Sequence, residues 1–130
     1  MFKKLGWSIL FLPLLAIPLF TMDRRLDPNI VNLSGMLPTK FGEQYSRRQL
    51  AEIDKIIVHH SATTDGTPYA YALYHINENG WPGIGYHFVI DLDGTINQTN
   101  SRDTISCHTS GQNRVSLGVC LAGDFDKQQP

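Results

Sequence analysis

Five histidines occur in the chain, and two of them, His59 and His60, close the run K-I-I-V-H-H-S-A-T from Lys55 to Thr63. Apolar and β-branched residues leading straight into imidazoles describe a buried strand that delivers histidine to its carboxyl end, where α/β sheets place their chemistry. A second segment, G-W-P-G-I-G-Y-H-F-V-I-D-L-D-G-T-I from Gly80 to Ile96, sets Tyr86 beside His87. A third, C-H-T-S-G-Q-N, adds Cys107 and His108 in polar, glycine-containing surroundings. Imidazoles with a phenol nearby are the equipment of a metal-dependent hydrolase: nitrogen ligands for the ion and a proton donor for the reacting oxygen.

The elements that must position these residues are legible in outline. Lys55–His60 reads as the first core strand, preceded by a short helix over Ser46–Asp54. Thr67 and Pro68 supply an N-cap and a proline at the first helical position, and Asn79-Gly80 a stop, so the segment between them is a helix of about three turns. Tyr86–Asp91 reads as a strand, Leu92–Thr95 as an Asp-Gly turn, and Ile96–Gln98 as the hairpin return. The polar stretch 101–114 is a loop, and Val115–Ala122 a final, largely buried strand. The class is α/β, with a sheet of at least three or four strands. Asp91, Asp93 and Gly94 are turn chemistry and not an acid–base pair. Strand alternation sends His59 and His60 to opposite faces, and His87 away from Tyr86. His60, His75 and His87 are accordingly read as structural, while Trp81 and Tyr74 are equally candidates for core anchoring and for stacking on a ligand.

The ends of the chain carry different information. Lys3 and Lys4 precede an apolar run from Leu5 to Met22 without a charged residue. At about 1.5 Å per residue a helix of that length spans roughly 27 Å, close to a bilayer core. Residues 1–22 are therefore expected to be a signal peptide or membrane anchor that exports the rest of the chain, with 23–44 a linker and 45–130 the functional domain. With 11 basic and 12 acidic residues and a formal net charge of −1, the chain lacks the basic surface that nucleic acid requires. Cys107 and Cys120 permit one disulfide, but Cys120 lies in the apolar run V-S-L-G-V-C-L-A-G and reads as a buried free thiol. Strands this apolar ordinarily need cover on both faces, and no helix comes after the last of them, as in an N-terminal portion of a longer domain.

I-V-H-H-S-A-T, G-W-x-x-I-G-Y-H-F-x-I-D-x-D-G-T-I, C-H-T-S-G-Q-N and S-L-G-V-C-L-A-G-D-F, taken in order over Lys55 to Phe125, resemble the zinc-dependent N-acetylmuramoyl-L-alanine amidases, a family shared by phage amidases and peptidoglycan recognition proteins. The resemblance implies an α/β fold with a mixed central β-sheet flanked by helices, here incomplete at the C-terminus. It implies a peptidoglycan substrate, cut at the amide between N-acetylmuramic acid and the L-alanine of the stem peptide, in a protein of bacterial or prophage origin. Carried over by position, His59 corresponds to the first zinc ligand and Tyr86 to the catalytic tyrosine, while His108 and Asn113 correspond to residues lining the substrate groove. The family's other two ligands, a histidine and then a cysteine or aspartate, lie beyond the last strand and have no counterpart here, so the Zn2+ site is expected to be incomplete. A substitute built from Cys107 or His108 is disfavoured by the same reading. The alternative function is a non-catalytic peptidoglycan-binding module or an inactive truncated amidase.

Overall fold

The computed structural model describes residues 29–129, so the expected signal or anchor segment, 1–22, lies outside the described residues. Five strands form one sheet: β1 (Ile30–Asn32), β2 (Lys55–His60), β3 (Phe88–Ile90), β4 (Ile96–Gln98) and β5 (Ser116–Leu121), in the order β1-β4-β3-β5-β2. Only β3 and β4 run antiparallel; the β2–β5, β3–β5 and β1–β4 pairs are parallel. One helix, α1 (Pro68–Asn77), crosses from β2 towards β3. This is the mixed sheet with flanking helix expected for the α/β class.

Local chemistry explains the elements that the sequence announces. Thr67 caps α1 by accepting a hydrogen bond from Ala70 N at 3.2 Å, and Pro68 opens the helix where a missing N–H costs nothing. The Asp-Gly turn closes with Asp91 N donating to Thr95 O, and Gly94 takes a φ of 84° that a side chain would resist. Three expectations differ from what forms. Ser46–Asp54 yields only a 3-10 turn at Leu50–Glu52, because Arg47 bridges to Thr104 and Ile105 N donates to Ser46 O, holding 46–48 extended. β3 begins at Phe88 and not Tyr86, since the Tyr86 carbonyl is taken by the Thr99 hydroxyl and the Asn100 amide. Within the segment expected to be a linker, residues 30–32 form edge strand β1, and Thr39 bridges to Gly83.

Parallel register makes the two sheet faces unlike. Val89, Cys120 and His59 are aligned across β3, β5 and β2, and Val89 and Cys120 are completely buried. They pack in one cluster with Tyr71 and Ala72 of α1 and with Ile84, and Leu37 and Tyr86 close against it. The opposite face carries Ile56 and Val58 beside Leu117 and Val119. Ile56 and Val58 remain 63% and 61% exposed.

Candidate functional site

His59 stands at the carboxyl end of β2 on the covered face, and Tyr86 approaches it from the turn before β3, with ring centroids 5.5 Å apart. The loop after β4 brings a third ring to the same place. His59 Nε2 and His108 Nδ1 are 3.2 Å apart, and Thr109 Oγ1 lies 3.3 Å from the first and 3.2 Å from the second. The juxtaposition of His108 with His59, disfavoured on sequence grounds, is thus the central feature of the site. Cys107, its neighbour, turns the other way and meets Tyr45.

Three structural features hold the His108 loop. Asn113 Oδ1 accepts from the backbone N–H groups of His108 and Thr109, at 3.0 and 2.8 Å, so the residue expected to line the groove spends this oxygen on shaping the loop. Gly118 leaves room for the imidazole: a Cβ there would sit 2.5 Å from His108 Cγ. Arg48, 5% exposed, donates to the carbonyls of Arg102, Asn113, Arg114 and Ser116 from beneath the loop. A buried guanidinium satisfied by carbonyls is a rigid staple, since both the charge and its partners would be costly to leave unpaired. No periodicity marks Arg48 in S-R-R-Q-L, and nothing in the sequence singles it out.

The remaining histidines are fastened elsewhere. His87 Nδ1 accepts from Gly118 N at 3.0 Å, His75 Nδ1 from Gly85 N at 3.0 Å, and His60 Nδ1 from Phe125 N at 3.3 Å. A backbone amide can only donate, so each of these rings has its Nδ1 lone pair committed. For His87 the proton then sits on Nε2, directed at Thr104 O 2.9 Å away. All three match their structural reading from the sequence. Trp81 packs on His75 with centroids 4.8 Å apart, whereas Tyr74 is exposed.

Burial sets the protonation of the site. It lowers the pKa of His59, and it lowers that of His108 to about 4, helped by the neighbouring His87 and His59. Both rings are therefore neutral at pH 7 and carry nitrogen lone pairs. Burial raises the Tyr86 phenol well above its ordinary value, so it stays a proton donor, and it raises the Cys120 thiol to about 11. Cys107 and Cys120 are both free thiols, with Cys120 buried as expected. Two facing imidazole nitrogens suit a divalent cation of the zinc type. Among the described residues no group of three or more His, Cys, Asp or Glu side chains is placed to hold one, so the set is one strong donor short of a three-ligand site. A cavity of about 740 Å³ lies apart from the histidines, between the 34–45 segment, Pro82–Ile84 and Thr99–Ser101.

Comparison with known proteins bears on this arrangement. The sequence profile of the family described as N-acetylmuramoyl-L-alanine amidase matches residues 49–130. The endolysin of Klebsiella phage KP32 is 40% identical over 86 residues, covering 64% of this chain and 55% of the endolysin. The chain thus spans about half the length of that relative. Among solved structures, the N-acetylmuramoyl-L-alanine amidase LysC from Clostridium intestinale superposes with a TM-score of 0.65 at 28% identity, covering 78% of this chain and 63% of LysC. Peptidoglycan recognition protein LE in complex with tracheal cytotoxin, a monomeric diaminopimelic acid-type peptidoglycan, superposes with a TM-score of 0.61 at 27% identity, over 72% of this chain and 59% of that one.

Proposed function

The chain belongs to the N-acetylmuramoyl-L-alanine amidase family, and from that premise we propose that it hydrolyses the amide between N-acetylmuramic acid and the L-alanine of the stem peptide. The observation that carries this reading is the meeting of His59, His108 and Tyr86 at the carboxyl end of β2. His59, neutral because it is buried, offers a lone pair as the metal-facing residue. Zinc, when bound, supplies a Lewis acid and an acidified water, which an unactivated amide needs. Tyr86 keeps its proton and is positioned to donate a hydrogen bond to the oxygen on which negative charge gathers as the amide is attacked. His75, behind Tyr86 with ring centroids 5.2 Å apart, orients the phenol by packing. Asn113 and Arg48 keep the His108 loop closed over the site. The apolar segment preceded by Lys3 and Lys4 directs the domain out of the cytoplasm, as a signal or as a membrane anchor, to where peptidoglycan lies.

A second reading draws on the donor count. With two facing imidazoles and no third strong donor among the described residues, a peptidoglycan-binding module without catalysis is the alternative. One experiment separates the two. The full chain is incubated with purified peptidoglycan and zinc, with and without chelator, and new L-alanine amino termini are counted. Chelator-sensitive release supports the hydrolase; wall binding without release supports the module; the absence of both sinks the two readings together.

A further inference from the structure

We propose that His108 is a metal ligand in this chain, forming with His59 a two-imidazole site for a divalent transition-metal ion. The proposal deepens the amidase reading and rests on its choice of His59 as the metal-facing residue.

The first support is spacing. His59 Nε2, His108 Nδ1 and Thr109 Oγ1 are mutually 3.2–3.3 Å apart. With zinc–nitrogen bonds of about 2.0–2.1 Å, tetrahedral ligand atoms lie about 3.3–3.4 Å from one another. The three atoms therefore outline one face of a coordination tetrahedron, with the threonine hydroxyl where a weak ligand or a water would sit.

The second support is the tautomer of His108. Ser116 Oγ donates to Gln112 O at 2.7 Å, so its own hydrogen is committed. The same oxygen lies 3.3 Å from His108 Nε2 and can only accept from it. The neutral ring then has its proton on Nε2 and its lone pair on Nδ1, the nitrogen aimed at His59. A ligating histidine whose far N–H is held by a hydroxyl, itself held by a carbonyl, has the outer-shell support that fixes ring orientation in metal sites.

The third support is contrast. His60, His75 and His87 each accept a backbone amide at Nδ1, whereas the facing nitrogens of His59 and His108 meet only each other and Thr109. The loop is also built to hold the ring there: Gly118 gives it room and Asn113 ties down the two backbone N–H groups flanking it.

The test reads binding and not cleavage, so its outcome is independent of whether the amide is cut. Zinc is titrated into the full chain by calorimetry, and Co2+ by its visible absorption, for wild type, His59→Ala and His108→Ala. Long-range proton–nitrogen correlation spectra of the wild-type imidazoles track the zinc titration, so the result survives a variant that folds poorly. Expected are a saturable site, a loss of affinity of about tenfold or more in each variant, and a zinc-induced shift at His59 Nε2 and His108 Nδ1 together. Unchanged affinity in a folded His108→Ala, a shift at His59 alone, or no binding at millimolar zinc would overturn the proposal, leaving the pair as a histidine–histidine hydrogen bond only. Chelator-sensitive cleavage with unchanged zinc affinity in His108→Ala would sink this inference and spare the amidase reading. Paired binding without cleavage would do the reverse.

Discussion

On the covered face of the sheet, β5 contributes Ser116, Gly118 and Cys120, all fully enclosed or nearly so; on the other face the same strand contributes Leu117, Val119 and Leu121, only half-buried. β2 repeats the asymmetry, with His59 under the His108 loop and Ile56 and Val58 turned outward. The small and polar residues are sealed in while the large apolar ones stay open. What a strand buries here is decided by room and not by hydropathy: the covered face must admit a histidine ring, a loop and α1, and only small side chains leave that space. Hydrogen bonding makes the polar content tolerable, since His87, Ser116 and Arg48 all find partners inside.

Substitutions should therefore weigh very differently on the two faces. The largest effect is expected from Arg48→Ala, which leaves the carbonyls that it serves without a donor beneath the loop. About 3–5 kcal/mol of stability should be lost, read as a lowered midpoint in urea. An effect below about 1 kcal/mol would mean that water replaces the guanidinium freely and that the covered face is not sealed.

Acid should act next, and only through the covered face. Burial depresses the folded-state pKa of both His75 and His87 to about 4. The unfolded chain titrates these imidazoles near 6.5, so between that value and 4 it binds more protons than the folded protein. Their contribution is complete above about pH 6.5 and is lost as pH falls towards 4. Urea midpoints at pH 7 and pH 5 should differ by about 2 kcal/mol for the pair after allowance for partial solvent screening. A double variant, His75→Phe with His87→Gln, should flatten that slope; an unchanged slope would place the sensitivity elsewhere.

Gly118→Ala introduces a methyl group 2.5 Å from His108 Cγ and should cost about 1–2 kcal/mol. It should also weaken Co2+ binding, because the ring must move away from His59. If affinity is unaltered, the room at Gly118 does not set the position of His108. The smallest effect belongs to the open face: Ile56→Thr or Val58→Thr should change stability by no more than about 0.5 kcal/mol. A loss comparable with Gly118→Ala would show that this face is covered in solution, and would erase the contrast between the two.

Much of the frame was legible because its signals are local. The Thr67-Pro68 cap, the Asp-Gly turn and the runs that became β2 and β5 depend on neighbours within a few residues. β1 was not legible, since Ile30–Asn32 is a three-residue edge strand that becomes one only by pairing with Ile96–Gln98. The helix expected over Ser46–Asp54 lost to a contact made by Thr104 and Ile105, more than fifty positions away. Arg48 has the appearance of an ordinary surface cation until the loop carbonyls close around it.

The sequence by itself determined the α/β class, the placing of His59 at a strand end, the turning of His60 away from it, and the family. Alternation along one strand and short motifs suffice for these, because they are properties of contiguous residues. Only the tertiary structure decided that His108, and not Cys107, faces His59 across 49 positions of chain. That outcome depends on the parallel register of β2 with β5, on the missing side chain at Gly118 and on the carbonyls gathered by Arg48. Each is a distance between residues remote in sequence, fixed by packing and hydrogen bonding after the strands have paired.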